Sequence, residues 1–461
     1  MKFIGRKQER ERLDRVLKTK KFQAVMIYGR RRIGKSALIK ETLKHSDLKS
    51  IYYECRQTSE KSNVRSLLSV VSEQMQLPKL GYASLEEALD YLFQLSLKQP
   101  FILVIDEYPY LQKVVKGMDS ILQVMIDQYK DDSQMKLIIC GSYADVMKSL
   151  IEDSNPLYGR FNQVIELKPM DYYDCQEFYP AFSDEDKVRA YSVFGGIPYY
   201  NEQIDDEKSL HENLMDCMIA PGSVLEDEVL NYIRSEISKI TNANEAFESM
   251  AAGNYRYTDI LDNSHISSSP ALAEVLKKLI DMDLISKEAP VNDENNKKKT
   301  GYVISDPLSL FFFRYIYRYF SQRNVMDPEV FYARFIKDDF ENQYVPKQFE
   351  KICREYLIRQ NRKGNIEEPF EKIGKYYYDL PSEHRNGEFD IVTLDPKGYI
   401  FYEAKFRSKA VSEKMISEEI RQVKETGLNC YRYGFFSKSG FEKIRNIKEN
   451  LILITLKDMY Q

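Results

Sequence analysis

Two groups of residues in this chain have the types and spacing to do chemistry on phosphates. The first begins at Gly29-Arg-Arg-Arg-Ile-Gly34-Lys35-Ser36, a G-x4-G-K-S run between the apolar segment 22–28 and the helical pattern Ala37-Leu-Ile-Lys-Glu-Thr-Leu. Gly29 and Gly34 let backbone N–H groups close around phosphates at a helix N-terminus. Lys35 then reaches the β- and γ-phosphates of ATP, and the Ser36 hydroxyl ligates Mg²⁺. The apolar run Phe101–Ile105 ends in Asp106-Glu107. At that place Asp106 suits holding Mg²⁺ through water, and Glu107 suits orienting the attacking water as a base. A third run, Lys136–Cys140, ends in Gly141-Ser142, which places a hydroxyl where it can sense the γ-phosphate. Arg160 is the candidate charge stabiliser, acting in cis or across a subunit interface. Arg30, Arg31 and Arg32 face the nucleotide, a partner or solvent.

The second group is Asp390, Glu403 and Lys405. Glu403 and Lys405 stand two apart in an alternating strand and so share a face. A turn at Asp395-Pro-Lys-Gly398 folds 387–394 back on 399–405 and brings Asp390 beside them. Carboxylates on adjacent strands can hold Mg²⁺ or Mn²⁺, which prefer oxygen ligands. Such a metal activates water against a phosphodiester, and the lysine positions that water. Acidic and basic residues are nearly balanced from residue 325 onward, a weak electrostatic footprint for a non-specific DNA binder.

The elements that must position these residues define an α/β, multi-domain chain. Residues 1–170 read as a parallel-sheet P-loop ATPase core. Residues 171–238 carry helical periodicity (Leu210, Leu214, Met218; Val224, Val229, Ile233) and read as a helical lid. Residues 239–324 read as a winged helix with a connecting helix. There Ser267-Ser-Ser-Pro270 caps a helix over 271–280, and strands at 284–288 and 301–305 flank a polar hairpin tip. That helix could lie in a DNA groove with Lys297, Lys298 and Lys299 on phosphate. However, Val275, Leu276, Leu279 and Ile280 have core character, so packing within the protein is favoured. The aromatic stretch 307–320 reads as a buried helix. Residues 325–461 read as a helix at 341–360, the 387–405 hairpin, a helix at 411–426, a strand at 431–436, a short helix and a strand at 451–455.

The order Phe3-Ile-Gly5-Arg6-x-x-Glu9, the GRRRIGKS loop, the strand ending in Asp-Glu, Leu157-Tyr-Gly-Arg160 and Gly195-Gly-Ile-Pro198-Tyr199 resembles the archaeal-type ATPases, a branch of the AAA/STAND P-loop ATPases. The resemblance implies that Gly5-Arg6 lies near the base and that Pro198 packs near the adenine from a helical lid. The D-x12-E-x-K set in its helix–hairpin–helix–strand order resembles the PD-(D/E)XK nucleases, in particular the domain that often follows such ATPases. That second resemblance implies a restriction-endonuclease-like fold, with Glu350 completing the metal site and Gln422 supporting it. Phe389 stands where the motif's name has proline, and Lys375-Tyr-Tyr-Tyr378 where relatives often carry tryptophan.

Composition agrees with this class. The 461 residues are 43% hydrophobic and 30% charged with a net charge of −4, which excludes disordered chains and polycations. Six scattered cysteines and four scattered histidines (His45, His211, His265, His384) form no zinc or disulfide pattern. The N-terminus lacks a signal-like apolar core and no run of 18 apolar residues occurs, so a cytoplasmic protein with no membrane association is expected. The expected activity is ATP binding and hydrolysis coupled to a Mg²⁺-dependent nuclease acting on DNA, with a homo-oligomer or protein partner. The alternative is a STAND-like ATP switch whose C-terminal domain binds protein or nucleic acid without cutting.

Overall fold

Three of the strands in the first half are apolar through their middle residues, and that composition requires cover on both faces. In the computed structural model, which describes residues 3–237, 240–296, 299–380, 385–447 and 449–461, they form the middle of a five-stranded parallel sheet. The strands are β1 (Gln23–Tyr28), β2 (Ser50–Glu54), β3 (Ile102–Asp106), β4 (Lys136–Gly141) and β5 (Gln163–Glu166), in the order β2-β3-β4-β1-β5. Alternate residues Ala24, Met26, Leu103, Ile105, Leu137 and Ile139 enter one core with Leu67, Leu68, Leu89, Phe93, Leu122 and Ile126. Those partners come from helices Glu60–Met75, Leu85–Ser96 and Met118–Tyr129. The edge strands β2 and β5 were not legible as strands, because Ser50–Glu54 is polar at both ends and Gln163–Glu166 is four residues long. Residues up to Met170, together with Ile197–Tyr199, make up this first compact unit.

The second unit holds Asp171–Gly196 and everything from Tyr200. Its middle part has helix Ile240–Ala251, helix Tyr257–Asn263 (a segment without a clear period in the sequence) and helix Ser269–Asp281. A hairpin follows, formed by β6 (Ile285–Glu288) and β7 (Gly301–Ile304). Ser268 caps the third helix through the Ala271 N–H, with Pro270 in its first turn. Leu272, Val275, Leu276 and Leu279 are buried. Lys297, Lys298 and His384 lie outside the described residues. In the aromatic stretch, Phe311, Phe312, Phe313, Tyr315 and Ile316 are buried, as its helical period requires.

The C-terminal part is a second five-stranded sheet, ordered β12-β11-β10-β9-β8. Strands β8 (Lys372–Leu380), β9 (Arg385–Asp395) and β10 (Gly398–Lys405) form an antiparallel meander. Helix Glu413–Glu425 then crosses over so that β11 (Cys430–Ser437) runs parallel to β10, and β12 (Leu451–Thr455) parallel to β11. The Lys375–Tyr378 stretch is the centre of β8. The short helix expected between the last two strands is absent among the described residues: that connection is irregular, with Phe441 bridging Val411. Helix Val345–Lys363 buries Phe349, Ile352, Cys353 and Leu357, and sets Phe349 at a tilt against Phe406 and Tyr356 edge-to-face with Phe436. Segment Asp171–Phe194 is tied to this part: the Tyr172 hydroxyl donates to Met459 O at 2.8 Å, and Arg359 pairs with Asp171 at 2.8 Å.

Candidate functional sites

The phosphate loop leaves β1 at Gly29 and enters helix Lys35–Lys44 at Gly34, whose φ of 93° is left-handed. Gly29 has a φ of 153°, and a Cβ there would lie 2.5 Å from the Leu167 carbonyl oxygen. Glycine is therefore the only residue that fits at this exit. The Lys35 ammonium is buried and donates to Gly29 O at 2.9 Å, Arg30 O at 3.2 Å and Ser142 Oγ at 2.9 Å. Burial pulls Lys35 below its ordinary pKa, against the opposing attraction of Glu107 and Asp106. The Ser36 hydroxyl donates to Asp106 Oδ2 at 2.8 Å, so the two expected Mg²⁺ ligands already face each other. Glu107 follows with a φ of 53°, a strained value for a non-glycine residue. Its carboxylate accepts from the Ser142 hydroxyl at 2.5 Å and the Ser142 N–H at 3.3 Å. Lys35, Ser36, Asp106, Glu107 and Ser142 thus form one connected polar cluster at the C-terminal ends of β1, β3 and β4.

Pro198 belongs to the same unit and packs 3.7 Å from where a Gly34 Cβ would stand, while Arg32 stacks over the Tyr199 ring at 3.7 Å. The Arg6 guanidinium donates to Ile33 O at 3.1 Å, which fixes Gly5-Arg6 beside the loop.

Arg160 is not part of the cluster. Its guanidinium is held by Asp127 (2.7 Å) and by the carbonyls of Pro156 (2.7 Å) and Tyr158 (3.0 Å). Asn162, two residues on, bonds Ala24 at the start of β1. The phosphate loop begins beyond Tyr28, about 13 Å further along the strand. Charge stabilisation in cis by Arg160 is therefore corrected: it stands at the opposite end of the sheet from its own chain's nucleotide loop.

Sequence reasoning missed two groups on Asp106. The Tyr52 hydroxyl donates to Oδ2 and the Cys140 thiol to Oδ1, and burial pushes both of their pKa values up. Their signal was positional: each sits on a strand flanking β3, Tyr52 in the middle of β2 and Cys140 near the end of β4.

In the second unit, β9–β10 pairing runs to Tyr402 opposite Ile391, so Glu403 and Asp390 are the next opposed pair and share a face. Lys405 Nζ lies 2.6 Å from Glu403 and 3.0 Å from Glu419. Lys347 Nζ bridges Glu350 (2.6 Å) and Asp390 (2.8 Å), and Lys375 approaches Asp390 at 3.7 Å. Burial, opposed by Lys405 and reinforced by Glu419 and Glu350, pushes Glu403 up to about 7. Burial also raises Glu350, with Asp390 adding repulsion. For Asp390 burial works upward, but Lys347 and Lys375 hold it below the usual carboxylate range. Among the described residues no three His, Cys, Asp or Glu side chains converge tightly enough to hold a metal as they stand, because ammonium groups are bonded between the carboxylates. Gln422 bonds the Tyr378 hydroxyl at 3.3 Å and does not reach the cluster; Glu419, three residues earlier on the same helix face, does. Lys299 pairs with Asp293 at 3.1 Å and lies over the Tyr377 ring at 4.0 Å.

No helix among the described residues is long and apolar enough to cross a membrane. A family model described as an ATPase domain predominantly from Archaea matches residues 3–204, and one described as archaeal and bacterial proteins of unknown function (DUF234) matches 312–420. The uncharacterized protein MJECL04 of Methanocaldococcus jannaschii is 30% identical over 435 residues, covering 93% of both chains. The uncharacterized ATP-binding protein MJ0423 of the same organism is 40% identical over 53 residues, 12% of this chain and 90% of its own length. The fold resembles the Walker-type ATPase PABY2304 of Pyrococcus abyssi, with a TM-score of 0.51 and 19% identity over 68% of this chain and 96% of that one. The phosphate loop, the family match across the first sheet and the near full-length relative together place the protein: the chain belongs to one family with MJECL04, and its residues 3–204 form a P-loop ATPase domain of the kind found predominantly in Archaea.

Proposed function

We propose that this ATPase couples ATP hydrolysis to metal-dependent cleavage of DNA by its C-terminal part. The observation that carries the proposal is the opposed pair Asp390–Glu403 with Lys405 two residues on and Glu350 beside it. These residues lie on the helix–three-strand–helix–strand arrangement of a restriction-endonuclease-like fold. The all-oxygen donor set Glu350, Asp390 and Glu403 suits Mg²⁺ or Mn²⁺. Bound there, such a cation supplies Lewis acidity and a water of lowered pKa. The residues then have distinct tasks. Glu350, Asp390 and Glu403 would hold the cation in place of Lys347, which now bonds Glu350 and Asp390, and Lys405, tethered to Glu419, would hold charge at the attacked phosphate. In the first unit, Lys35 transfers its bonds from the loop carbonyls to the phosphates. Ser36 and Asp106 hold Mg²⁺, and Glu107, freed from Ser142, orients water. Pro198 is proposed to lie at the adenine as part of a helical lid over 171–238, and helices 240–281 with the β6–β7 hairpin as a winged helix. Arg160 serves a neighbouring subunit of a homo-oligomer. All six cysteines are free, which fits a reducing cytoplasm.

The bonded lysines favour a second reading, in which the C-terminal part binds without cutting and the ATPase acts as a STAND-like switch. The test incubates the full chain with supercoiled, linear and single-stranded DNA in Mg²⁺ or Mn²⁺, with and without ATP, beside D390N and K35A. Metal-dependent cutting lost in D390N is expected. Intact ATP turnover with no cutting under any condition leaves the switch.

A further inference from the structure

The carboxylate cluster opens onto a cavity of about 340 Å³ within the second unit. Its walls include Lys347, Glu350 and Lys375 from the cluster, and Lys351, Arg354 and Tyr255 beyond it. Lys347, Lys351 and Arg354 stand at i, i+4 and i+7 of helix Val345–Lys363 and so form one cationic stripe leading away from Asp390. Lys351 donates only to a carbonyl, Ile304 O at 3.1 Å, and Arg354 stands at a loose 3.6 Å from Glu288. Tyr255 is 42% exposed and offers a ring to the same space.

The roof is the hairpin, and it is fastened down. The Val291 N–H donates to Lys375 O at 2.7 Å. The Asn292 side chain both donates to Tyr377 O (2.8 Å) and accepts from Tyr377 N–H (3.1 Å). Glu294 pairs with Lys372 at 2.9 Å, and Lys299 stacks over Tyr377 at 4.0 Å. Residues 291–294 and Lys299 are therefore tied to the outer edge of β8.

We propose that this cavity takes a single, unpaired DNA strand and leads its phosphate to Asp390 and Glu403, so that the substrate is single-stranded DNA or a single-stranded tail. The inference rests on the nuclease reading and narrows it. A duplex, whose grooves alone are about 12 and 6 Å wide, is too thick for a roofed space of this size. One splayed nucleotide is not, and pockets of roughly 300–1,000 Å³ suit ligands of that size. A cationic groove with an aromatic ring is also how unpaired strands are gripped, by phosphate attraction and base stacking.

The experiment uses the full chain and three end-labelled probes: a single-stranded 20-mer, its blunt duplex and the duplex with a single-stranded tail. Binding is read by anisotropy in EDTA and cutting in Mn²⁺. Binding at least tenfold tighter to the single strand than to the blunt duplex is expected. K351Q and R354Q each weaken single-strand binding at least fivefold while melting and ATP binding stay unchanged, and K351R restores it. Cuts fall in the unpaired tail. Equal or tighter binding to blunt duplex, or K351Q and R354Q both folded and binding as wild type, overturns the inference. Cutting confined to duplex overturns it while leaving the nuclease reading intact. Tight single-strand binding that depends on Lys351, with no cutting of any probe, supports the cavity and sinks the nuclease reading alone.

Discussion

Replacing Gly29 by alanine tests how the phosphate loop is held at its exit from β1. Two costs are present there. The φ of 153° is one that side chains rarely adopt, a strain of about 1–3 kcal/mol. The added Cβ also meets the Leu167 carbonyl oxygen at 2.5 Å, with Leu167 Cβ at 3.3 Å and Ile33 Cγ2 at 3.4 Å. That carbonyl cannot swing away freely, because the Leu167 N–H is bonded to Tyr28 O at 2.8 Å and so anchors the end of β5 to β1. Overpacking of this kind costs about 1–3 kcal/mol more, which gives about 2–6 kcal/mol in all. Gly117 is the control: its φ is 74° with nothing within 4 Å of a Cβ, so alanine there pays only the conformational cost of about 1 kcal/mol. Urea unfolding of G29A and G117A measures both, and calorimetric titration with ATP measures the site. G29A should lose more stability than G117A and bind ATP at least tenfold more weakly, because relief of the clash moves the loop carbonyls that hold Lys35. If the two variants unfold within about 0.5 kcal/mol of each other, Leu167 does not wall the loop and the argument fails.

The Lys35 ammonium, freed to bond phosphate, should contribute about 1.5–3 kcal/mol as a charged hydrogen bond, so K35A is expected to weaken ATP binding about ten- to a hundredfold by titration. R160A should leave ATP binding unchanged. If Arg160 serves a neighbour, mixing R160A with K35A subunits restores part of the ATPase rate; a monomeric, concentration-independent loss refutes the trans role. Glu355 supplies a pH test. Burial raises its pKa to about 7 from an ordinary 4.5, against bonds from the Tyr172 N–H and the Tyr191 hydroxyl and the attraction of Lys351, with Asp171 adding repulsion. The folded state then holds a proton that the unfolded state has released, so stability falls as pH rises from about 4.5 to about 7 and levels above it. The ceiling at about 1.4 kcal/mol per unit is about 3 kcal/mol, and partial solvent access lowers it to about 1–2 kcal/mol. E355Q should flatten that slope in urea melts taken across the range, and a slope unchanged in E355Q removes Glu355 as its source.

The parts of these sites that were legible share one property: a residue type and spacing that only one chemistry requires. The G-x4-G-K-S run needs no tertiary knowledge, because the loop, Lys35 and Ser36 are contiguous, and Asp106 follows from the end of a strand buried on both faces. Asp390, Glu403 and Lys405 were legible through strand alternation and one tight turn, both local rules. What stayed hidden depends on strand order and on charge pairing across long separations. Tyr52 reaches Asp106 only because β2 lies next to β3, and Ser50–Glu54 has too little apolar character to announce an edge strand. Whether Arg160 serves its own chain or a neighbour was not legible either, because that depends on the parallel register of β5 on β1, which sets it at the far end of the sheet from its own phosphate loop. The C-terminal lysines are the sharper case. Nothing local marks Lys347 and Lys375, but they are the counter-charges beside which Glu350 and Asp390 coexist half-buried. A carboxylate pocket that must bind a dication and also fold without one needs removable positive charge. Flexible ammonium groups meet that need, whereas a guanidinium fork fixed on the same carboxylates would be harder to displace. On the proposed metal-dependent reading, lysines rather than arginines at positions 347, 375 and 405 are what loading that site would require, and K347R should then bind Mn²⁺ more weakly than wild type in a calorimetric titration.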